Sequence, residues 1–175
     1  MVEAGQCGWP GDIYRALKCA DVRQVAYVPD AGHKWLIKRC RKDRAMRALP
    51  MTSEEEGVAV LAGAWLGGER GALLMQSSGV GNCINMLGVT QECRFPLLTI
   101  VTMRGEWGEF NPWQAPMGQA VRPSLEAAGV IVQHIDDAKR IGEAVEAASH
   151  MAFDAMRAVA VLIGQRVIGA KDWRK

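Results

Sequence analysis

The chain has 175 residues, enough for one domain with a complete apolar core and too few for a second of ordinary size. Apolar residues make up 49% and charged residues 23%, which rules out a disordered or fibrous chain, and a net charge of +2 gives no general attraction to nucleic acid or to an anionic membrane. The five cysteines (Cys7, Cys19, Cys40, Cys83, Cys93) form no C-x-x-C pair, no signal-peptide pattern opens the chain, and no apolar run approaches ~20 residues, so a reducing cytoplasm is the expected setting.

Pro10 to Asp21 predicts a first helix and Val25 to Val28 a first strand. The strand ends in Pro29-Asp30-Ala31-Gly32-His33, followed by seven basic residues between Lys34 and Arg47. Those seven fit either a solvated helix face or a contact to an acidic partner. Arg47 to Met51 is a weaker strand, because Pro50 cannot donate to a ladder. From Ser53 to Leu66 the apolar residues Val58, Leu61, Ala62 and Trp65 recur at helical spacing. Ala72 to Gln76 is a strand, Gln76 to Asn82 a glycine-containing loop, and Val80, Cys83, Ile84 and Leu87 mark the next helix. Leu97 to Val101 is a strand, and Arg104 to Pro116 a long connection carrying Trp107 and Trp113. Such a connection either packs on a ligand or partner or folds back onto its own core. Met117 to Ala128 is a helix, Val130 to Ile135 a strand, and Ile141 to Ala152 a helix capped by Asp136 or Asp137. Val159 to Gly164 closes the series as a strand.

The strands are continuously apolar rather than alternating, as strands covered on both faces are. Strands separated by helices require right-handed crossovers and a parallel sheet. The expectation is therefore an α/β fold: a single three-layer domain over residues 1–170, with a mostly parallel sheet of about six strands and helices on both faces. Residues 171–175 read as a solvated tail.

Three places could carry chemistry. Glu54, Glu55 and Glu56 open a helix, where acids suit the helix dipole and Ser53 with Glu56 makes a capping box. A capping box does not account for the other two, and at least one of them falls at the margin of the core. The loop from Gln76 to Asn82 is either a tight strand-to-helix turn or a place where backbone amides approach an anion or a ring. Asp30 and His33 follow a strand's carboxyl end, where α/β domains bind ligands. They also fit an Asx turn and a surface histidine.

The run Thr-Ser-Glu-Glu-Glu-Gly-Val-Ala-Val-Leu-Ala-Gly-Ala-Trp-Leu-Gly-Gly (52–68) resembles the cofactor-activating helix of thiamine-diphosphate-dependent decarboxylases. Ala-Leu-Leu-Met-Gln-Ser-Ser-Gly-Val-Gly-Asn (72–82), Met-Arg-Gly-Glu (103–106) and Gln-Ala-Pro-Met-Gly (114–118) resemble three further motifs in the same order. The agreement is with the pyrimidine-binding domain, most of all in the α subunit of sulfopyruvate decarboxylase and in phosphonopyruvate decarboxylase. The resemblance implies a glutamate that hydrogen-bonds the cofactor's pyrimidine ring. Counted ten residues before Trp65 and two before Gly57, it is Glu55, with Glu54 and Glu56 as cap and solvent residues. Ser78, Gly79, Gly81 and Asn82 would line the pyrimidine side, and Gln114 would lie near the reacting groups. Asp30, His33 and Arg104 are candidates for substrate, His33 as acid/base and Arg104 for a second anionic group.

In this family a Gly-Asp-Gly segment binds the cofactor's diphosphate through Mg²⁺. Here Pro10-Gly11-Asp12 is followed by Ile13. The expectation is a split enzyme whose diphosphate-binding β subunit holds the metal, with at least two α and two β chains and no metal ligand on this chain. Sulfopyruvate is the first substrate and phosphonopyruvate the second; the alternative is a non-catalytic, cofactor-binding regulatory subunit.

Overall fold

The computed structural model describes residues 8–169. In chain order the elements are α1 (Gly8–Cys19), β1 (Val22–Tyr27), α2 (Lys34–Lys42), β2 (Arg47–Pro50), α3 (Glu54–Leu66), β3 (Arg70–Gln76), α4 (Ser77–Glu92), β4 (Leu97–Thr102), α5 (Gln114–Ala127), β5 (Ile131–Ile135), a 3₁₀ turn (Ala138–Arg140), α6 (Ile141–Phe153), β6 (Ala158–Ile163) and the short α7 (Gln165–Ile168). The six strands form one sheet in the order β2-β1-β3-β4-β6-β5, every pairing parallel. Pro50 is tolerated because it ends β2, a four-residue edge strand.

The strands explain the layering. Side chains alternate across a strand, so a continuously apolar strand feeds two cores at once. In β3, Ala72 and Leu74 join the cluster under α1, α2 and α6, while Leu73 and Met75 join the one under α3, α4 and α5. In β6, Val159, Val161 and Ile163 face the first cluster and Ala158, Ala160 and Leu162 the second. Full burial of each such side chain contributes roughly 1.5–3 kcal/mol. Both sheet faces are thus closed, and the carboxyl ends of the strands are left for a site.

Local differences from the sequence reading have physical causes. Gln76 to Asn82 is not a loop: β3 passes straight into α4, with Gln76 at the cap position, so Gly79 and Gly81 are helical. The buried stripe of α4 is Val80, Cys83, Leu87 and Thr90, and Ile84 turns outward at 43% exposure. Gln114 to Pro116 form the first turn of α5, which shortens the expected long connection. Ser53 occupies the cap position of α3 without a side-chain bond, while Glu56 Oε2 accepts from the Thr52 N–H at 2.7 Å. Asp137 caps the 3₁₀ turn by accepting from the Lys139 N–H. Cys7 and the expected tail at 171–175 lie outside the described residues. Among the described residues Cys19, Cys40, Cys83 and Cys93 are free thiols, and no helix is long and apolar enough to cross a membrane.

Candidate functional site

The chain leaves β1 for the edge strand β2 and then crosses back to place β3 on the other side of β1. This is a topological switch point, where the connections leaving neighbouring strands diverge and open a crevice at their carboxyl ends. A hydrogen-bonded chain of side chains runs along it. Ser78 Oγ donates to Gln76 Oε1 at 3.0 Å, and Gln76 Nε2 donates to Asp30 Oδ1 at 2.8 Å. Thr102 Oγ1 donates to Asp30 Oδ2 at 2.6 Å. The backbone N–H groups of Gly32 and His33 also donate to Oδ2, at 3.0 and 3.3 Å. Asp30 is therefore an Asx turn with both oxygens engaged. It borders a cavity of about 250 Å³ together with Gln76, Thr102 and Arg104.

His33 does not reach that cavity. It is fully buried, and its Nε2 lies 3.1 Å from the Ile100 carbonyl oxygen. Burial holds its pKa below the ordinary histidine value, although Asp30 opposes the shift. A ring sealed in the core and kept neutral has no path to a substrate proton, so the acid/base and substrate roles expected of His33 are withdrawn.

The first turns of α3, α4 and α5 pack in a row. In α3, Glu54, Val58 and Leu61 share one buried face at i, i+4 and i+7. Glu54 is 7% exposed as a residue, and its Oε2 accepts from Asn82 Nδ2 at 2.8 Å. Oε1 has no hydrogen-bond partner among the described residues. A Cβ at position 79 would fall onto this carboxyl group, so Gly79 is what lets α4 approach it. A Cβ at Gly81 would lie 3.0 Å from the Met117 sulfur in the first turn of α5. Beside Met117, the Gln114 side-chain oxygen is buried without a partner. Glu55, the next residue, is exposed and makes no hydrogen bond or ion pair among the described residues. The structure thus brings Glu54, Gly79 and Asn82 together and leaves Glu55 outside. Glu54, expected as a cap or solvent residue, is the buried carboxylate.

The connection after β4 is held by its own ion pair. Arg104 Nε and Nη2 each donate to a carboxylate oxygen of Glu109 at 2.6 Å, with both side chains nearly buried. The side-chain bond to Arg104 is the main reason the Glu109 carboxyl is pulled down to about 2. This bidentate pair uses Nε and Nη2 to fix the loop, while Arg104 still lines the cavity beside Asp30 and Gln76. Gln165, after β6, accepts at Oε1 from the backbone N–H groups of Glu106 and Trp107 and donates from Nε2 to Glu109. His134 Nε2 meets Glu106 Oε1 at 2.9 Å, which raises the pKa of the histidine. Gly105 has φ +78°, and a Cβ on Gly118 would collide with the Arg104 carbonyl and lie 2.9 Å from the Gly105 Cα. The four motifs therefore form one connected set: 52–68 meets 72–82, 103–106 meets 114–118, and the segment 72–82 joins the two through the Arg104 N–H donating to Ser77 Oγ at 3.0 Å and the approach of Gly81 to Met117.

Sequence reasoning missed Gln76, Thr102, Glu109 and Gln165. Glu54 had a signal, its i, i+4, i+7 register with Val58 and Leu61. Gln165 had none, since its partners lie 56 to 59 residues away.

Comparison with known proteins gives the same frame. Residues 11–119 match the family model described as thiamine pyrophosphate enzyme, N-terminal TPP binding domain. The sulfopyruvate decarboxylase subunit alpha of Methanococcus maripaludis is 39% identical over 119 residues, 67% of this chain and 71% of that protein. Its counterpart in Methanothermobacter thermautotrophicus is 32% identical over 152 residues, 86% of this chain and 92% of that protein. Phosphonopyruvate decarboxylase of Streptomyces hygroscopicus is 42% identical over 99 residues, 56% of this chain but 25% of that protein. Among solved structures, the 2-oxoglutarate:ferredoxin oxidoreductase of Magnetococcus marinus superposes with a TM-score of 0.77 at 14% identity, over 93% of this chain and 29% of that one, which shows the fold. The chain belongs to the thiamine pyrophosphate enzyme family, as its N-terminal, cofactor-binding domain.

Proposed function

We propose that the chain is the α subunit of a two-chain thiamine-diphosphate-dependent decarboxylase acting on a small acidic 2-oxoacid, sulfopyruvate first. The observation that carries the site assignment is the Glu54 carboxylate, one oxygen held by Asn82 and the other free. That half-satisfied group, with Oε1 open to solvent, fits a heteroaromatic ring nitrogen, since a hydrogen bond made once a ligand excludes water is made in low dielectric and is strong. Glu54 takes the role that the motif spacing had given to Glu55. The exposed Ser78 and Asn82 and the close-packed Gly79 and Gly81 would line the pyrimidine side, and the orphaned Gln114 oxygen supplies one more acceptor.

When bound, the cofactor supplies the electron sink for loss of carbon dioxide. Glu54 would hold the proton shared with that ring's nitrogen, and Asn82 fixes the carboxylate's orientation. The walls of the cavity beside Asp30 and Gln76 receive the substrate. The proposal treats residues 1–170 as this single domain, assigns Mg²⁺ and the diphosphate to a β subunit, and places the pair in the cytoplasm as an assembly of at least two of each chain. The relatives called subunit alpha support a partner.

The test is carbon dioxide release by the reconstituted pair, with thiamine diphosphate and Mg²⁺, from sulfopyruvate, phosphonopyruvate and pyruvate. The proposal expects sulfopyruvate to have the highest kcat/KM. Release from none of the three would refute it and leave a non-catalytic subunit.

A further inference from the structure

The basic run at 34–47 has no part in the site described so far, yet it forms a groove. Lys34, Lys38, Arg41 and Lys42 of α2 line a cavity of about 610 Å³ whose floor includes Tyr27 and Ile37. All four cations are exposed, and none makes an ion pair among the described residues. Their neighbours are paired: Lys18 holds Asp43, and Arg39 stacks on the Tyr14 ring at 4.5 Å. Asp30 also borders the groove, but its carboxylate is already met by Gln76, Thr102 and two backbone N–H groups. Four unmatched positive charges in a chain of net charge +2 are a concentrated local field.

We propose that this groove binds an organic polyanion with two or more phosphates, of the nucleoside di- or triphosphate class. The volume lies within the range of small-ligand sites, and an apolar floor with a few convergent polar groups is their usual make-up. From residue 34 to residue 42 the helix rises about 12 Å, more than one phosphate can span. A protein partner fits less well, because lysine is depleted from interface cores and three of the four cations are lysines. Tyr27 and Ile37 belong to the core layer under α1, α2 and α6, on the opposite side of the sheet from the Glu54 face, so the groove is separate from the pyrimidine site.

Calorimetry of the pair reconstituted with its β subunit and already saturated with thiamine diphosphate and Mg²⁺, titrated with ATP, inorganic triphosphate or a polyglutamate peptide, tests this. ATP is expected to bind saturably at one site, more tightly than inorganic triphosphate, and undisplaced by saturating thiamine diphosphate. Lys38→Gln/Arg41→Gln, both on the surface, is expected to weaken ATP at least tenfold with thermal unfolding and thiamine diphosphate binding unchanged; Lys34→Gln/Lys42→Gln repeats the measurement. Absence of saturable ATP binding, equal affinity in both double variants, or displacement by thiamine diphosphate would overturn the proposal. Binding of the peptide in place of ATP would also overturn it and mark a protein-docking face.

Discussion

The Asn82 amide donates to the Glu54 carboxylate at 2.8 Å, across 28 residues of sequence, and so ties the first turn of α3 to α4. The bond exists because Gly79, one turn earlier in α4, has no side chain where the carboxyl group lies.

Gly79→Ala is expected to push Glu54 off Asn82. The added methyl would come within 2.5 Å of the Glu54 Cγ, too close for any real contact. Overpacking of this kind costs roughly 1–3 kcal/mol of stability. Decarboxylation by the reconstituted pair should fall far more than a thermal melt does. Wild-type turnover in this variant would mean that Glu54 need not stay in place.

The fold was legible because its strands are apolar runs separated by amphipathic helices, and each of the six appears where the runs lie. The site was less so. Counting from Trp65 points to Glu55, which α3 leaves exposed next to the buried Glu54; a motif interval says how far apart two residues are but not which face of α3 each occupies. The register of Glu54 with Val58 and Leu61 does say that. His33 looked accessible because it follows a strand end, yet the Asx turn at Asp30 rolls it into the core. The Arg104–Glu109 pair joins residues five apart in an irregular segment, where no periodicity reveals a contact.

Arg104→Ala leaves the Glu109 carboxylate without its cation but with the N–H donors of Gly105, Asn111 and Gln165, so the loss is that of a charge-assisted hydrogen bond, about 1.5–3 kcal/mol. The effect depends on pH in a defined sense. Glu109 titrates near 2 in the folded chain against an ordinary 4.5, so its contribution is fully present above 4.5 and is lost as pH falls towards 2. Between pH 5 and 3 the wild-type Tm should therefore fall more steeply than that of Glu109→Gln. Parallel curves would mean the pair adds nothing.

His134 and Glu106 behave in the opposite sense. The Glu106 bond raises the histidine's pKa above 6.5, so the stabilisation is complete below 6.5 and disappears as pH rises through the higher folded value. Asp136, 3.7 Å from the ring, adds to the shift, and Arg122 opposes it. The Tm difference between wild type and His134→Gln should be largest at pH 6 and shrink by pH 8.5. A difference that grows with pH would contradict the assignment.

Trp113 is 88% exposed, immediately before Gln114 at the start of α5. A large bare aromatic beside the proposed site suits a subunit contact. Trp113→Ser is expected to weaken association with the β subunit by about tenfold or more, as tryptophan anchors do. Unchanged affinity in analytical ultracentrifugation would place the interface elsewhere.

The most direct measurement compares Glu54→Gln with Glu55→Gln in the reconstituted pair, following carbon dioxide release under saturating cofactor. Loss of a positioned proton-holding group typically costs 10²- to 10⁴-fold, so turnover of Glu54→Gln should drop by at least about 100-fold. Glu55→Gln, an exposed change, should stay within about threefold of wild type. The reverse pattern, an active Glu54→Gln and a dead Glu55→Gln, would contradict the account.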